Sequence, residues 1–123
     1  MSISKKINDL YDHIHEVKMQ FLDRELKPAI IDCLRRLNAR NLPCENIKFT
    51  DGMGTNFLHC SKCSLSDCKA YRLWDLITEY YYKPGNEYYK RIANRFPEVL
   101  ELKTMIHDFD ELNVDIGEIE CLE

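Results

Sequence analysis

The sequence contains no apolar run that approaches the roughly 20 residues needed for a membrane-spanning helix. Its N-terminal stretch, MSISKKINDL, also lacks the apolar segment and the small-residue cleavage site of a secretory signal peptide. We therefore expect an intracellular, cytoplasmic protein without membrane contact. In a reducing compartment, clustered cysteines are more often metal ligands than disulfides.

A recognisable catalytic set is also missing. Gly52, Met53 and Gly54 are not followed by the further glycine and the lysine of a phosphate-binding loop, and no serine has the context of a nucleophile elbow. Catalysis by a zinc ion needs an open coordination position, usually beside histidine or carboxylate ligands. The four-cysteine site described below leaves no such position. We therefore expect a non-enzymatic protein.

The composition is that of one soluble globular domain. The 123 residues suffice for one hydrophobic core but not for two ordinary domains, and the apolar and charged fractions are 45% and 31%. The net charge of −4 conceals an asymmetry: residues 1–97 carry 16 Lys and Arg against 12 Asp and Glu, whereas residues 98–123 carry one Lys against nine acids. The acidic end favours solubility or a basic protein partner over contact with nucleic acid there.

Apolar spacing predicts helices on both sides of a central segment, so we expect a mainly α fold with a small β-hairpin (α+β). In the helical N-terminal part, residues 1–41, one apolar seam contains Ile3, Ile7, Leu10, Ile14, Val17 and Phe21. We expect this seam to pack against the rest of the domain, and self-association into a homo-oligomer is the alternative. Pro28 fits the first turn of a second helix that ends between residues 38 and 41, giving an antiparallel helical hairpin or one kinked rod.

Three further helical periods occupy the C-terminal part, residues 66–112. The first has its apolar positions at Ala70, Leu73, Trp74, Ile77 and Tyr81. The second helix has its apolar positions at Tyr88, Tyr89, Ile92 and Phe96, and Asn86 is its expected cap. Pro97 opens the third helix. Residues 113–123 have no clear period, and we expect an acidic tail, with a strand as the alternative.

Between these helical parts, residues 44–68 contain the signals of a β-hairpin. An alternating run, NIKFT, is followed by the turn formers DGMGT and by a second apolar run, NFLHC. If Thr50 pairs with Asn56, Cys44 lies beside residues 61–63. The hairpin therefore brings together cysteines that are distant in sequence.

Four of the six cysteines lie in this segment, at Cys44, Cys60, Cys63 and Cys68. Two cysteines separated by two residues can reach one ion across a tight turn, and thiolates bind zinc at about 2.3 Å in a tetrahedron. Cys68 is expected in the first turn of the next helix, where the helix dipole favours the thiolate. The sequence therefore predicts a hairpin–knuckle–helix unit stapled by a four-cysteine metal site, in which the knuckle is the turn from Cys60 to Cys63. This unit resembles a treble-clef or ribbon-like zinc module, without the usual second CxxC pair.

Zinc is the first expectation for this site, because an all-thiolate structural site in a small intracellular domain most often holds zinc. An iron–sulfur cluster is the alternative, since four unevenly spaced cysteines also bind that cofactor. One upstream cysteine followed by C-x2-C and a further cysteine is similar to the WhiB-like iron–sulfur regulators, whose five residues before the last cysteine, Gly-Trp turn and basic tail are not found here. Four reduced thiols without metal are the third interpretation. His59 is expected to support the site from outside the ligand set or to act as an alternate ligand.

The remaining candidate site combines aromatic rings and cations around a break at Pro84. Its expected partner-binding residues are Tyr80, Tyr82, Lys83, Lys90 and Arg91. Because tyrosine and arginine are enriched in protein interface hot spots, we expect a protein partner and a regulatory or inhibitory role. Rings beside cations are also typical of single-stranded nucleic-acid recognition, so a nucleic-acid-binding zinc module is one alternative. An iron–sulfur redox or sensing protein is another.

Overall fold

The computed structural model describes residues 2–110 and 114–121. Its helices are α1 (Ile3–Phe21), α2 (Lys27–Asn38), α3 (Lys69–Tyr82), α4 (Glu87–Arg95) and α5 (Pro97–Asp110). Its strands are β1 (Lys48–Gly52), β2 (Thr55–His59) and β3 (Gly117–Glu120). The expected fold class, mainly helical with a small antiparallel sheet, is therefore confirmed. Across these described ranges, no helix has both the length and the apolar character to cross a bilayer.

The N-terminal part is one continuous helical rod rather than a hairpin of two helices. A π-helical turn, Leu22–Leu26, joins α1 directly to α2. Pro28 lies in the first turn of α2 and has no N–H to donate to the carbonyl four residues earlier, which belongs to that π-helical turn. The wider hydrogen-bond pattern of a π turn accommodates the missing bond without ending the helix.

The predicted hairpin is present, but its register is one residue away from the expected one. β1 and β2 pair antiparallel with Thr50 opposite Phe57, one position beyond the expected partner. The two-residue turn sets this register, because Met53 and Gly54 both have positive φ, 53° and 79°, as a type I′ turn requires. The hairpin still directs Cys44 towards the knuckle, as predicted.

Part of the expected acidic tail forms a strand, which is the alternative that the sequence left open. β3 pairs antiparallel with β1, so the strand order is β2-β1-β3. Ile119 of β3 is buried. On the opposite face, Lys48 Nζ lies 3.5 Å from the Glu118 carboxylate and 3.4 Å from that of Glu120. Because side chains alternate along a strand, these acids pair with a cation of the sheet while their neighbour fills the core.

One core joins the sheet to α2, α3 and α5, and the part nearest the cysteines lies where the sheet packs against α3. Phe49 on β1 and Leu58 on β2 face each other across the hairpin, and both are 0% exposed. The ring of Trp74 meets Phe49 edge-on with 5.3 Å between ring centroids. Its Nε1 donates a hydrogen bond of 2.9 Å to the backbone carbonyl of Asn56. α3 is therefore fixed to both strands of the hairpin, and it carries Cys68 at its start.

The expected starts of α4 and α5 are confirmed, whereas α3 begins at Lys69 and not at about residue 66. Asn86 caps α4 by accepting hydrogen bonds from the N–H groups of Tyr88 and Tyr89, at 2.9 and 3.3 Å. Pro97 is the first residue of α5. The buried residues of α3 are four of the five predicted positions: Ala70, Leu73, Trp74 and Ile77.

A partly buried ion pair joins the residues that follow α2 to the start of α5. Arg40 Nε donates to the carboxylate of Glu98 at 2.9 Å, and the Arg40 guanidinium lies 5.4 Å above the ring of Phe96. Glu98 is only 7% exposed. Its second oxygen, Oε2, has no hydrogen-bond partner within the described part of the chain. Arg40 therefore supplies the charge compensation that this carboxylate needs.

α1 contradicts the expectation that its seam packs against the domain. The six seam residues remain 41–77% exposed, and no residue of α1 is buried. Its last turn reaches the body, which is the name used here for the described residues after Phe21. There the ring of Phe21 stacks on Phe109 of α5 with 6.1 Å between centroids. Residues 3–17 are all exposed, so α1 projects from the body with an uncovered apolar face.

Candidate metal centre

The four cysteines of the central segment meet at one point. Cys44 precedes β1, Cys60 follows β2, Cys63 lies in the next turn, and Cys68 is the N-cap residue of α3. Their four Sγ atoms all lie within 4.8 Å of one another. The Sγ atoms of Cys60 and Cys68 are 3.8 Å apart. Three of the thiols are buried and that of Cys63 is partly buried, so the cluster is largely shielded from solvent.

This donor set fits a single tetrahedral ion. Thiolates bound at about 2.3 Å stand about 3.8 Å apart along the edges of a tetrahedron. The sulfurs of Cys60 and Cys68 have this separation. Because all remaining pairs lie within 4.8 Å, small side-chain rotations suffice to bring them to the same value. Four thiolates occupy all the coordination positions of a tetrahedral ion, as in a structural rather than a catalytic site.

Backbone amides of α3 point at the cluster. Burial raises the pKa of Cys44, but the N–H groups of Ala70 and Lys69 donate hydrogen bonds to its sulfur and oppose that rise. These are unpaired amides of the first helical turn, where the helix dipole also favours negative charge. The start of α3 therefore serves Cys44 as well as its own cap residue, Cys68. The sequence had placed Cys68 inside the first turn of a helix from about residue 66, whereas Cys68 is the cap that precedes α3.

The knuckle itself favours one thiolate. Burial raises the pKa of Cys60, but hydrogen bonds from the Cys63 thiol and from the Lys62 backbone N–H outweigh burial and lower the pKa to about 7. The hydrogen bond that Cys63 donates raises the pKa of Cys63 to about 12. One thiolate is thus stabilised by neighbouring thiols, and a dication bound among them would displace their protons.

Short-range contacts shape the turn between Cys63 and α3. Ser64 Oγ donates to the Asp67 carboxylate at 3.0 Å, and the Asp67 backbone N–H donates to the Ser64 carbonyl at 3.0 Å. Lys62 forms an ion pair with Glu45, which lies on the loop before β1. Both partners of that pair are exposed, so it adds little stability. It nevertheless joins the two cysteine-bearing loops directly.

His59 does not belong to the thiol cluster. Its Nε2 lies 2.9 Å from Thr50 Oγ1 and 3.7 Å from the Glu118 carboxylate. Its ring packs 5.2 Å from that of Phe57. The imidazole therefore interacts with the polar face of the sheet, and its position does not support the expected role of alternate ligand.

The other two cysteines lie apart from the cluster. Cys33 is buried on α2, as expected for a small core residue, and burial together with the Glu101 carboxylate raises its pKa to about 12. Cys121 packs at the edge of the core, and its thiol is free. Neither is one of the four clustered donors.

The expected partner-binding residues lie on two helices that follow one another in the chain. They are divided between the end of α3 and the body of α4: Tyr80, Tyr82, Lys83, Lys90 and Arg91. All except Tyr80, which packs partly against the core, are exposed. The ring of Tyr82 lies 5.6 Å from the ammonium of buried Lys103 on α5. Within the described chain, no hydrogen bond, ion pair or ring contact joins residues 80–83 to residues 88–91.

The structure instead shows a basic groove between α3 and α4, which sequence reasoning missed. This α3–α4 groove has a volume of about 480 Å³ and is lined by Lys69, Arg72, Leu73, Leu76, Tyr88, Ile92, Arg95 and Phe96. Its cations come from both helices, its floor is apolar, and no carboxylate is among these lining residues. The helical spacing of Arg72 and Leu76 was visible in the sequence. Their alignment with Arg95 depends on how α4 packs against α3.

Comparison with known proteins assigns no family to the chain. No family model, no curated protein and no solved structure matches it. The similarity to WhiB-like regulators is therefore limited to cysteine spacing.

Proposed function

We propose that the four cysteines bind one structural zinc ion that holds the β-hairpin against the start of α3. The observation that carries this proposal is the convergence of four sulfurs within 4.8 Å, two of them 3.8 Å apart. An iron–sulfur cluster has several irons and sulfides between its cysteine ligands, and therefore holds those sulfurs farther apart than a single ion does. Among single ions, zinc is the usual partner of four thiolates in a small intracellular domain.

The zinc-stapled unit presents the α3–α4 groove to a protein partner. Cys68 caps α3, and the next residue, Lys69, lines the groove, so a metal at the cysteines fixes one end of it. A cationic rim over an apolar floor matches an acidic segment that also carries apolar side chains. Arginine and tyrosine, both present here, are the residue types that dominate interface energetics.

In this proposal the chain is a non-enzymatic regulatory or inhibitory protein of the cytoplasm. The sequence contains no recognisable catalytic set, and a four-thiolate zinc ion has no open position for a substrate. A reducing compartment keeps the thiols available to the metal. The chain regulates its partner by covering the acidic segment that the partner would otherwise use.

Affinity capture on the immobilised full chain, followed by mass spectrometry, tests the partner. The wild-type chain should retain a protein in stoichiometric amount, and Arg72→Glu combined with Arg95→Glu should lose it, because the rim then repels an acidic segment. The matched control is Arg24→Glu combined with Arg35→Glu. It makes the same charge change at exposed positions of the helical rod, and should retain the partner.

Equal capture by the groove variant, or no stoichiometric protein on the wild-type chain, would count against this function. Capture of nucleic acid would support the alternative instead, provided that binding falls steeply with salt and weakens when Lys90 and Arg91 are changed to alanine.

A further inference from the structure

α1 carries six large apolar side chains that the body does not cover. Their exposed fractions range from 41% at Phe21 to 77% at Ile3. Together they form a patch on the order of several hundred Å², the size at which an exposed apolar surface marks an interaction site. None of the residues of α1 is buried, although in proteins most helical stability comes from packing of an amphipathic face. Both observations indicate that another surface covers α1 in solution.

The seam is complementary to itself when two copies run antiparallel. Its successive spacings are four, three, four, three and four residues, so the pattern is the same from either end. The facing pairs are then Ile3 with Phe21, Ile7 with Val17, and Leu10 with Ile14. Every apolar layer is therefore filled, as in an antiparallel coiled coil.

An apolar groove continues this seam onto the body. It has a volume of about 370 Å³ and lies beside Phe21, where Leu26, Ala29, Met105 and Phe109 line it. Antiparallel pairing brings Ile3 of the second copy to this end of α1, so its side chain can enter the groove. A seam of fewer than three heptads is short for a stable coiled coil, and the groove lengthens this apolar contact.

The charges at this end of the contact are also complementary. Glu25 and Asp108 lie at the edge of the groove. The N-terminal turns of α1 carry Lys5 and Lys6, both exposed. In an antiparallel pair these lysines of one copy approach the end of the rod that carries the carboxylates of the other, twice over, and the facing pairs put Lys5 and Lys6 opposite residues 19 and 18. A parallel pair would instead place like charges together at both ends, which is unfavourable.

We infer that this chain forms an antiparallel homodimer through α1, in which each N-terminal turn lies in the apolar groove of the other copy. The contact is two-fold and isologous, so it closes and does not propagate into fibres. Its residues are separate from the four cysteines and from the α3–α4 groove. The dimer therefore presents two copies of each.

Sedimentation velocity on the full chain, over a series of concentrations, tests the association. The wild-type chain should sediment with twice the 14.6 kDa mass of one chain. Leu10→Glu should give a monomer, because it places a charge in the central apolar layer of the pair. Asn8→Glu is the matched control, since it adds the same charge at an exposed position beside the seam and should leave the dimer intact.

A charge exchange tests the orientation. Lys5→Glu combined with Lys6→Glu should raise the dissociation constant of the dimer about tenfold or more, because four acids then meet at each end. Adding Glu25→Lys and Asp108→Lys to the same chain should restore the wild-type value. This rescue requires the N-terminal turn of one copy to contact the groove of the other.

A wild-type monomer at every concentration would overturn the proposal, as would a dimer that Leu10→Glu leaves intact. A dimer that the charge exchange does not restore would overturn the antiparallel arrangement. A monomer that binds vesicles of anionic phospholipid through the seam would assign α1 to a lipid surface, and would also overturn the inference.

Discussion

The candidate metal centre and α1 were both predicted from the spacing of residues along the chain, yet one is closed within the chain and the other is open. The four cysteines are placed by a hairpin, a knuckle and a helix start that lie close together in sequence, and their sulfurs converge within 4.8 Å. The six seam residues of α1 share one helix face and remain 41–77% exposed. Spacing along the chain determines which side chains share a face. What covers that face depends on the rest of the fold or on another molecule.

The largest expected effect is the loss of a metal ligand from the closed region. Cys60→Ser should lower the free energy of unfolding by more than about 4 kcal/mol in the presence of zinc, because it removes the thiolate to which the other cysteines are hydrogen bonded. Urea unfolding followed by circular dichroism measures this. Cys121→Ser, at the edge of the core, is the matched control and should cost less than about 1 kcal/mol. Similar losses for the two variants would show that the cluster holds no stabilising ion.

A matched pair of leucines compares the two regions directly. Leu58 is 0% exposed in the hairpin, and Leu10 is 59% exposed on α1. Leu58→Ala should cost about 2–5 kcal/mol through the cavity it creates. Leu10→Ala should cost less than about 0.5 kcal/mol at concentrations where the chain is monomeric. Urea unfolding gives both values, and a large loss for Leu10→Ala in the monomer would mean that the body covers the seam after all.

The ion pair between α2 and α5 tests how tightly the body is closed. Arg40→Leu should cost about 2 kcal/mol, because it leaves the nearly buried Glu98 carboxylate without its cation. Adding Glu98→Gln should recover part of this loss, since the remaining side chain is neutral. Thermal unfolding of the two variants and of wild type provides the measurement. A double variant that is no more stable than Arg40→Leu alone would contradict the coupling between the two side chains.

The smallest effect concerns the Asp51 carboxyl, where the end of the hairpin meets the C-terminal segment. Burial raises the pKa of Asp51 above its ordinary value of 3.8, so the folded chain binds this proton more tightly than the unfolded chain does. The stabilisation that comes from binding this proton is therefore fully present below the ordinary pKa of Asp51. It is lost as the pH rises through the folded-state pKa. Asp51→Asn, which keeps an acceptor for the Ile116 N–H, should stabilise the chain at about pH 7.

Comparing the melting temperatures of wild type and Asp51→Asn at about pH 7 and about pH 4 checks this sign, because metal release in acid affects both chains alike. The difference should shrink towards the acid side. A variant that is less stable than wild type at both values would show that the ionised carboxylate is favourable where it lies.

Local signals account for the parts of the fold that could be predicted from the sequence. Asn86 and Pro97 mark the starts of α4 and α5 because capping and a preset φ act within one helical turn. The convergence of the cysteines followed from a short hairpin and a CxxC turn in the same way. The expected pairing of Thr50 near Asn56 lies one residue from the observed partner, Phe57, because the backbone uses Met53 and Gly54 for the turn.

The parts that the sequence did not reveal depend on contacts between distant segments. β3 joins the sheet because β1 offers a free edge and a cation, Lys48, and neither can be inferred from the period of residues 113–123. The α3–α4 groove requires Arg72 and Arg95 to be aligned by the packing of two helices. The seam of α1 was correctly identified as a face, but spacing alone could not show that the body leaves it uncovered.

Metal analysis of the freshly purified full chain tests the central claim most directly. The account predicts one zinc ion per chain, no acid-labile sulfide, and loss of the zinc in Cys60→Ser but not in Cys121→Ser. Iron with acid-labile sulfide, or a folded chain that contains no metal and is equally stable in the presence of a chelator, would contradict it.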